Sequence, residues 1–161
     1  MITTQELAEA FERNWKVIGQ QSQGLTHEQS LLQPPFRGNC LNWVLGHIVE
    51  TRNGVLLALG ATPMVSEEHR KRYGHGSEPV CGDAPGVVRL EKLLELLRHS
   101  HEVIDARLPQ LTEEELSRKT CDHRGEVTLA QRLSFLYYHD TYHCGQTELL
   151  RQLAGTNDHI I

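Results

Sequence analysis

Two histidines, His139 and His143, interrupt an apolar helical pattern near the C-terminus of the chain. They lie in the stretch YYHDTYHCGQ, on a stripe that leucines occupy both before and after it. Side chains four residues apart stack on one face of a helix, so the two imidazoles can converge on one metal ion. Burying such side chains without partners costs about 1–3 kcal/mol each. The alternative is a pair of core histidines bonded to carbonyl groups or to water.

A third histidine, His47, lies on another apolar segment between Val44 and Ile48. If it faces the same interior, three imidazoles can hold one divalent transition metal ion and leave a fourth position open. Such an ion is a Lewis acid that activates water for hydrolysis or a thiol for transfer. Taken alone, His47 is more often a core histidine bonded within the protein. The three residues predict a metal site, and they assign no catalytic residue and no site for an organic cofactor.

The segment HDTYH has the spacing of the HExxH helix of zinc metalloproteases, with Asp140 in place of the glutamate base. The aspartate side chain is one methylene shorter, and only Glu148 and His159 follow as downstream ligands. These departures disfavour a protease. Because Asp140 lies about 100° around the helix from His139, we expect it in solvent or in a salt bridge between helices.

Four further residues are predicted to surround the metal or line its pocket: Glu50, Gln146, His101 and Trp43. Glu50 and Gln146 each follow a ligand by one helical turn, where they can orient an imidazole or bond a substrate. His101 lies on the inner stripe of another helix, as a pocket residue or as a bonded core histidine. Trp43 is placed in the core or at the pocket floor. Five other histidines are expected to be solvated: His69, His75, His99, His123 and His159.

Four long amphipathic segments must position these side chains. The apolar spacing predicts helices over residues 3–23, 39–60, 83–108 and 128–154. Thr3 with Glu6 and Thr112 with Glu115 predict capping boxes, and Asn39 is the predicted cap of the second helix. LTHEQ and LTEEELSR are predicted to be short helical turns, the segment 61–85 is irregular, and strand patterns are nearly absent. We therefore predict an all-α protein with the architecture of an antiparallel four-helix bundle.

The length of 161 residues predicts a single domain over residues 1–161. A net charge of −5 without long runs of either sign argues against a nucleic-acid partner. The N-terminus has no secretory pattern, and no window is apolar enough to span a membrane. The cysteines form no C-x-x-C pair, which favours free thiols and a cytoplasmic location; they are Cys40, Cys81, Cys121 and Cys144.

Two of these stretches resemble a known family. LNWVLGHIVE carries the pattern W-x-x-x-H, and YYHDTYHCGQTELLRQLAG carries H-x-x-x-H-x-G-Q. Together they resemble the DinB/YfiT-like superfamily over nearly the whole chain. The resemblance implies a four-helix bundle, often a homodimer, with a divalent metal ion held by His47, His139 and His143. It also implies activities such as transfer of low-molecular-weight thiols, among them bacillithiol and mycothiol, hydrolysis or isomerisation.

The leading hypothesis is a metalloenzyme with one divalent ion, zinc or nickel being expected first, that acts on a small electrophilic substrate. It would be a thiol transferase with a low-molecular-weight thiol as cosubstrate, or a hydrolase. The alternative is a non-catalytic metal-binding bundle in which the ion has a structural or sensing role. A structural ion is closed to solvent, whereas a reactive one adjoins a pocket. This difference separates the two hypotheses.

Overall fold

Residues 3–122 and 124–156 are described by the computed structural model of the protein. Four long helices make up the bundle: α1 (Thr4–Ser22), α3 (Leu41–Ala58), α5 (Leu90–Arg107) and α7 (Leu129–Leu153). Between them lie α2 (His27–Ser30), α4 (Glu67–Tyr73), a 3₁₀ turn (Leu108–Gln110), α6 (Glu113–Ser117), and the strands β1 (Lys119–Asp122) and β2 (Gly125–Thr128). The prediction of an all-α helical bundle is confirmed.

Threonine residues begin four of these helices by the same mechanism. In each case the hydroxyl accepts a hydrogen bond from the backbone N–H three residues on, and the side chain there bonds the threonine N–H in return. Two of these capping boxes begin long helices, at Thr3 and Thr128, and two begin the short turns, at Thr26 and Thr112. The predicted boxes at Thr3 and Thr112 are confirmed.

Two predicted helix starts are wrong. Helix α3 begins after Cys40, which makes no side-chain cap, so Asn39 is not the N-cap. Helix α5 begins at Leu90 instead of near residues 83–85, because a turn precedes it. In that turn the N–H of Val87 bonds the carbonyl of Ala84, and Gly86 has a φ of +85°, which a helix cannot accommodate.

The sequence pattern also missed one helix and one hairpin. Helix α4 lies inside the segment predicted to be irregular; its sequence EEHRKRY is mostly charged, yet it buries His69 and Tyr73. Strands β1 and β2 form an antiparallel hairpin with Lys119 opposite Thr128. Each strand has only four residues and no fully buried side chain, so the apolar alternation that reveals a strand is absent.

Each long helix contacts two others, because α1 and α3 both pack against α5 and α7. Helix α3 runs antiparallel to α7: Arg52 meets Asp140, whereas the earlier His47 meets the later His143. Helix α1 runs antiparallel to α5 but parallel to α7. The predicted antiparallel pairing therefore holds for α3 with α7 and for α1 with α5, and the chain runs up, down, down and up.

Helices α3 and α5 are parallel neighbours. Near the start of both, Asn42 donates a hydrogen bond of 2.9 Å to the carbonyl of Val88, and near their ends Arg107 donates to the carbonyl of Leu59 at 3.3 Å. A parallel pair requires a connection that returns along the whole length of the helices. The segment 59–89 makes this return and carries α4 back past the first half of α3.

The apolar core is divided into two clusters along α3. One surrounds the first half of α3, and its fully buried members include Leu45, Ile48, Leu93 and Leu97. The other surrounds the second half, with Phe11, Val55, Leu56, Ile104 and Leu133. Thr51, Arg52 and Asn53, all buried and polar, lie between the two along α3.

Within the described residues, no α-helix has both the length and the apolar character that crossing a bilayer requires.

Candidate metal centre

The histidines predicted as ligands converge from two helices. His47 comes from α3, and His139 and His143 come from adjacent turns of α7. Their ring centroids are 4.5–5.0 Å apart, and one nitrogen of each lies within 4.8 Å of the others. His47 is 4% exposed, His143 is 9% exposed and His139 is half-buried, so most of the surface of the three side chains is covered by protein. We call these three residues the histidine cluster.

The closest pair of ring nitrogens has the spacing of two ligands on one ion. Nε2 of His47 lies 3.2 Å from Nε2 of His139. Zinc–nitrogen bonds of about 2.0–2.1 Å at a tetrahedral angle place two nitrogens about 3.3–3.4 Å apart. The donor set, three imidazoles from antiparallel helices, therefore fits a divalent transition metal ion.

Hydrogen bonds on the far side of two rings direct their free nitrogens into the cluster. Nδ1–H of His47 donates to the carbonyl of Tyr73 at 2.6 Å, and Nδ1–H of His143 donates to Oε1 of Gln146 at 2.7 Å. In a neutral imidazole this leaves Nε2 as a lone pair, the form that binds a metal. Nδ1 of His139 is buried and has no hydrogen-bond partner among the described residues, so no neighbour selects its tautomer.

The environment keeps the three rings neutral. Burial lowers the pKa of His47 and of His143 below the usual value, because a charged imidazolium loses its hydration there. Burial, reinforced by repulsion from His143 and His47, lowers the pKa of His139 to about 4. Neutral imidazole is the form that ligates a metal, so at pH 7 the cluster presents lone pairs instead of competing protons.

Helix α4, absent from the sequence prediction, supports His47 from behind. The ring of Tyr73 packs directly on Gly46, where an added Cβ would lie 2.2 Å from the ring. Nε2–H of His69 donates to the carbonyl of Gly46 at 3.0 Å, and the hydroxyl of Tyr73 donates to Oδ1 of Asn42 at 2.9 Å. These contacts fix the Tyr73 carbonyl that orients His47. The expectation that His69 is solvated is wrong, because it is 7% exposed.

A cavity of about 700 Å³ opens beside the histidine cluster. All three histidines line it, together with Trp43, whose ring stacks on His47 with centroids 4.8 Å apart. His75 is exposed as predicted, but it also lines the cavity, which sequence reasoning missed. The connection after α4 brings it there, and nothing in the local pattern GHGS indicates that approach. The cluster is therefore open to small molecules.

The other predicted site residues are placed as follows. Gln146 bonds His143 and lines the cavity, whereas the carboxylate of Glu50 lies 3.8 Å from Arg70 and makes no bond to His47. The Tyr73 carbonyl has the orienting role that was considered for Glu50. His101 does not line the cavity; its ring stacks on Trp15. Of the other histidines that were expected to be solvated, His99 is exposed, as predicted. His123 and His159 lie outside the described residues.

Asp140 belongs to a separate polar cluster on another side of α7. Its oxygens accept hydrogen bonds from Nε and Nη2 of Arg52 at 2.8 and 3.1 Å, and from Nδ2 of Asn14 at 2.9 Å. Asp140 and Arg52 are fully buried. We call Asn14, Arg52 and Asp140 the ion-pair cluster. Of the two expectations for Asp140, the salt bridge between helices is confirmed, and a carboxylate held in this way is not free to act as a metalloprotease base.

Comparison with known proteins supports the fold. The sequence profile of the DinB superfamily matches residues 10–147, a range that includes all three histidines. A crystal structure of a conserved protein from Enterococcus faecalis is similar, with a TM-score of 0.74 and 20% identity over 97% of this chain and 99% of that one. At this identity the likeness concerns the fold alone. No curated protein matches the chain.

Proposed function

The chain belongs to the DinB superfamily, and on that premise we propose that it is a metalloenzyme acting on a small electrophilic substrate. In this proposal His47, His139 and His143 hold one divalent transition metal ion. The reaction is transfer of a low-molecular-weight thiol or hydrolysis. The observation that carries the proposal is the position of the histidine cluster in the wall of an open cavity, where the Nδ1–H hydrogen bonds leave Nε2 of His47 and of His143 as lone pairs.

When bound, a divalent ion with three neutral ligands keeps its full charge and lowers the pKa of a coordinated water or thiol. The protein contributes the arrangement around it. The Tyr73 carbonyl and Gln146 hold the Nδ1 protons of His47 and His143, so these rings cannot rotate without losing a hydrogen bond. The stacked ring of Trp43 restrains His47 further. The cavity admits the second reactant to the same place.

The open cavity favours a reactive site over a structural one. A structural ion is enclosed by protein ligands, whereas here the cluster forms part of a wall that small molecules can reach. Thermal unfolding with and without a chelator, combined with relaxation measurements of exchangeable metal-bound water, distinguishes the two roles. A large loss of stability without exchangeable water would assign the ion a structural role and contradict the proposal.

Metal content tests the site itself. The purified protein is expected to hold close to one divalent ion per chain, and His143→Ala is expected to hold almost none. His99→Ala is the matched control, because this exposed histidine lies on α5 outside the cavity. Elemental analysis after dialysis gives the stoichiometry. An unchanged metal content in His143→Ala would overturn the assignment.

A thiol-consumption screen tests the reaction. Bacillithiol, mycothiol, glutathione and cysteine are supplied with several electrophiles while zinc, nickel and other divalent metals are varied. Loss of the thiol together with the electrophile indicates transfer, whereas loss of an ester or amide without thiol indicates hydrolysis. His143→Ala should lose either activity, and His99→Ala should retain it.

Other features remain predictions that rest mainly on the family resemblance or on composition. They are the preference for zinc or nickel, a homodimer, a cytoplasmic location, the lack of a nucleic-acid partner and a single domain over residues 1–161.

A further inference from the structure

The walls of the cavity have an unusual charge distribution. The chain as a whole is acidic, with 21 Asp and Glu residues against 16 Lys and Arg. Yet no Asp or Glu is among the described residues that line the cavity, and Arg37 is the only Lys or Arg there. The remaining lining residues are apolar, aromatic, uncharged polar or histidine. The cavity therefore presents one fixed positive charge and no negative charge.

The guanidinium of Arg37 is free to bind a ligand. The side chain is exposed, and it makes no hydrogen bond or ion pair with any residue in the described parts of the chain. Another arginine near the same connections, Arg72, is instead engaged by the carbonyls of Glu78 and Pro79 at 2.8 and 2.9 Å. A planar guanidinium without a partner matches the geometry of a carboxylate or another oxyanion.

The loop that carries Arg37 is tethered near the cavity. Nε2 of Gln33 donates hydrogen bonds to the carbonyls of Leu31 and Val80, at 2.6 and 2.8 Å, and so joins this loop to the connection between α4 and α5. Pro34 and Pro35 follow, and proline restricts the backbone. The start of the loop is therefore held, and Arg37 lines the cavity four residues after Gln33.

Exposed aromatic and apolar side chains lie beside Arg37 in the cavity wall. Phe36 is 56% exposed, and Tyr138, Tyr142 and Leu149 of α7 are 64%, 58% and 53% exposed. The three α7 residues follow one another at helical spacing and form a stripe on one face. Large apolar side chains at this exposure provide a surface for the non-polar part of a ligand.

From these observations we infer that the cavity binds a small amphipathic anion: Arg37 pairs with its carboxylate or other oxyanion, and the exposed stripe of α7 contacts its apolar body. This inference rests on the proposed function for the position of the reacting group, which would face the histidine cluster. Arg37 is then a residue that determines substrate specificity. It orients the substrate and takes no part in bond breaking.

Binding of a matched pair of probes tests the inference. Phenylacetate and phenylacetamide have nearly the same shape, and only the first is charged. In chelator-treated, metal-free protein at low salt, we expect phenylacetate to bind about tenfold more tightly, the difference that one charge-assisted pair supplies. The indole N–H signal of Trp43 in an NMR titration reports occupancy, with Trp15→Phe used to assign it. Equal affinity for the two probes, or no binding of phenylacetate, would overturn the inference.

Variants of the arginine assign the effect. Arg37→Gln should remove the preference for phenylacetate, and Arg37→Lys should retain most of it. Arg13→Gln changes the net charge equally on an exposed part of α1 outside the cavity, so it should leave the preference intact. A preference that survives in Arg37→Gln would exclude Arg37 as the anion site.

Metal content separates this inference from the proposed function. Arg37→Gln should hold as much zinc as the wild-type chain, because Arg37 is not a ligand. If the wild-type protein binds no metal but prefers phenylacetate, the anion site stands and the metalloenzyme proposal fails. If zinc binds and the preference appears only in the zinc-loaded protein, irrespective of Arg37, the anion coordinates the ion and the inference fails.

Discussion

Two polar clusters lie on different sides of α7 at the same height in the bundle, and they satisfy their polar groups in different ways. In the ion-pair cluster, the Asp140 carboxylate receives three hydrogen bonds from Arg52 and Asn14 and is fully buried. In the histidine cluster, Nε2 of His47 and Nε2 of His139 approach to 3.2 Å at a cavity wall. The ion-pair cluster contains a positive and a negative charge. The histidine cluster contains three neutral imidazoles.

The two clusters therefore differ in whether their polar groups already have partners within the protein. The ion pair joins α1, α3 and α7 and needs no further partner for its carboxylate. The histidine cluster brings three imidazoles together around one point, and this arrangement is compatible with a bound metal ion. Successive residues of one helix, His139 and Asp140, belong to different clusters because they project about 100° apart.

The largest expected effect concerns the ion-pair cluster. Asp140→Ala leaves the Arg52 guanidinium buried without its counter-charge, and we expect the free energy of unfolding to fall by about 3–5 kcal/mol. Chemical denaturation measures this loss. Asp105→Ala, an exposed aspartate of α5, should change stability by less than about 0.5 kcal/mol. A loss no larger than that of the control would show that the two clusters do not differ in the way described.

The second expected effect concerns the support of the histidine cluster by α4. In Gly46→Ala the new Cβ meets the Tyr73 ring, so α4 must move, and we expect a loss of about 1–3 kcal/mol. Movement of the Tyr73 carbonyl also releases His47, which should weaken metal binding by about 10–100-fold. Denaturation and competition with a chromogenic chelator give the two quantities.

Another glycine of α3 provides the control for this substitution. In Gly54→Ala the added Cβ would approach only Leu136, at an ordinary contact distance of 3.9 Å. Alanine favours the helix over glycine by about 0.5–1 kcal/mol, so this variant should be as stable as the wild type or slightly more stable. Equal behaviour of the two variants would argue against α4 as a support.

The third effect is a pH dependence of the metal-free protein. The pKa of His139 is lowered to about 4 in the folded chain, against about 6.5 when unfolded, so the unfolded state binds more protons between these values. The contribution of His139 to the free energy of unfolding is fully present above pH 6.5 and is lost as the pH falls to 4. We expect this loss to be on the order of 2 kcal/mol once solvent screening is allowed for.

Substitution of His139 isolates its contribution to this pH dependence. Denaturation curves of wild type and His139→Gln, both in chelator, are compared between pH 7 and pH 4.5. The carboxylates titrate in both proteins, so the difference between the two curves reports the histidine. If the two proteins lose stability in parallel, His139 does not have the lowered pKa.

The smallest effect concerns a single hydrogen bond to the histidine cluster. Gln146→Ala removes the acceptor for Nδ1–H of His143, and we expect metal affinity to fall about tenfold. Gln152→Ala, an exposed glutamine of the same helix, is the control and should bind metal normally. Chelator competition compares the two, and identical affinities would remove Gln146 from the support of the site.

Local signals in the sequence were sufficient for most of the helical framework. The capping boxes at Thr3 and Thr112 depend only on residues three apart in the chain. The apolar stripe of α7 likewise predicted a helix over residues 128–154. The helix spans Leu129–Leu153, with Thr128 as its N-cap and Ala154 as its C-cap. Such signals failed for α4, because its seven residues are mostly charged and it is held by contacts with Gly46 and Asn42 of α3.

The sequence by itself determined which residue types could form the site, because His139 and His143 occupy positions of an apolar stripe where leucines stand before and after them. The tertiary structure alone decided what surrounds them. The parallel pairing of α3 and α5 requires a long return segment, and this segment brings Tyr73 behind His47 and His75 into the cavity wall. Periodicity describes one helix at a time, whereas hydrogen bonds between distant segments depend on how the chain returns.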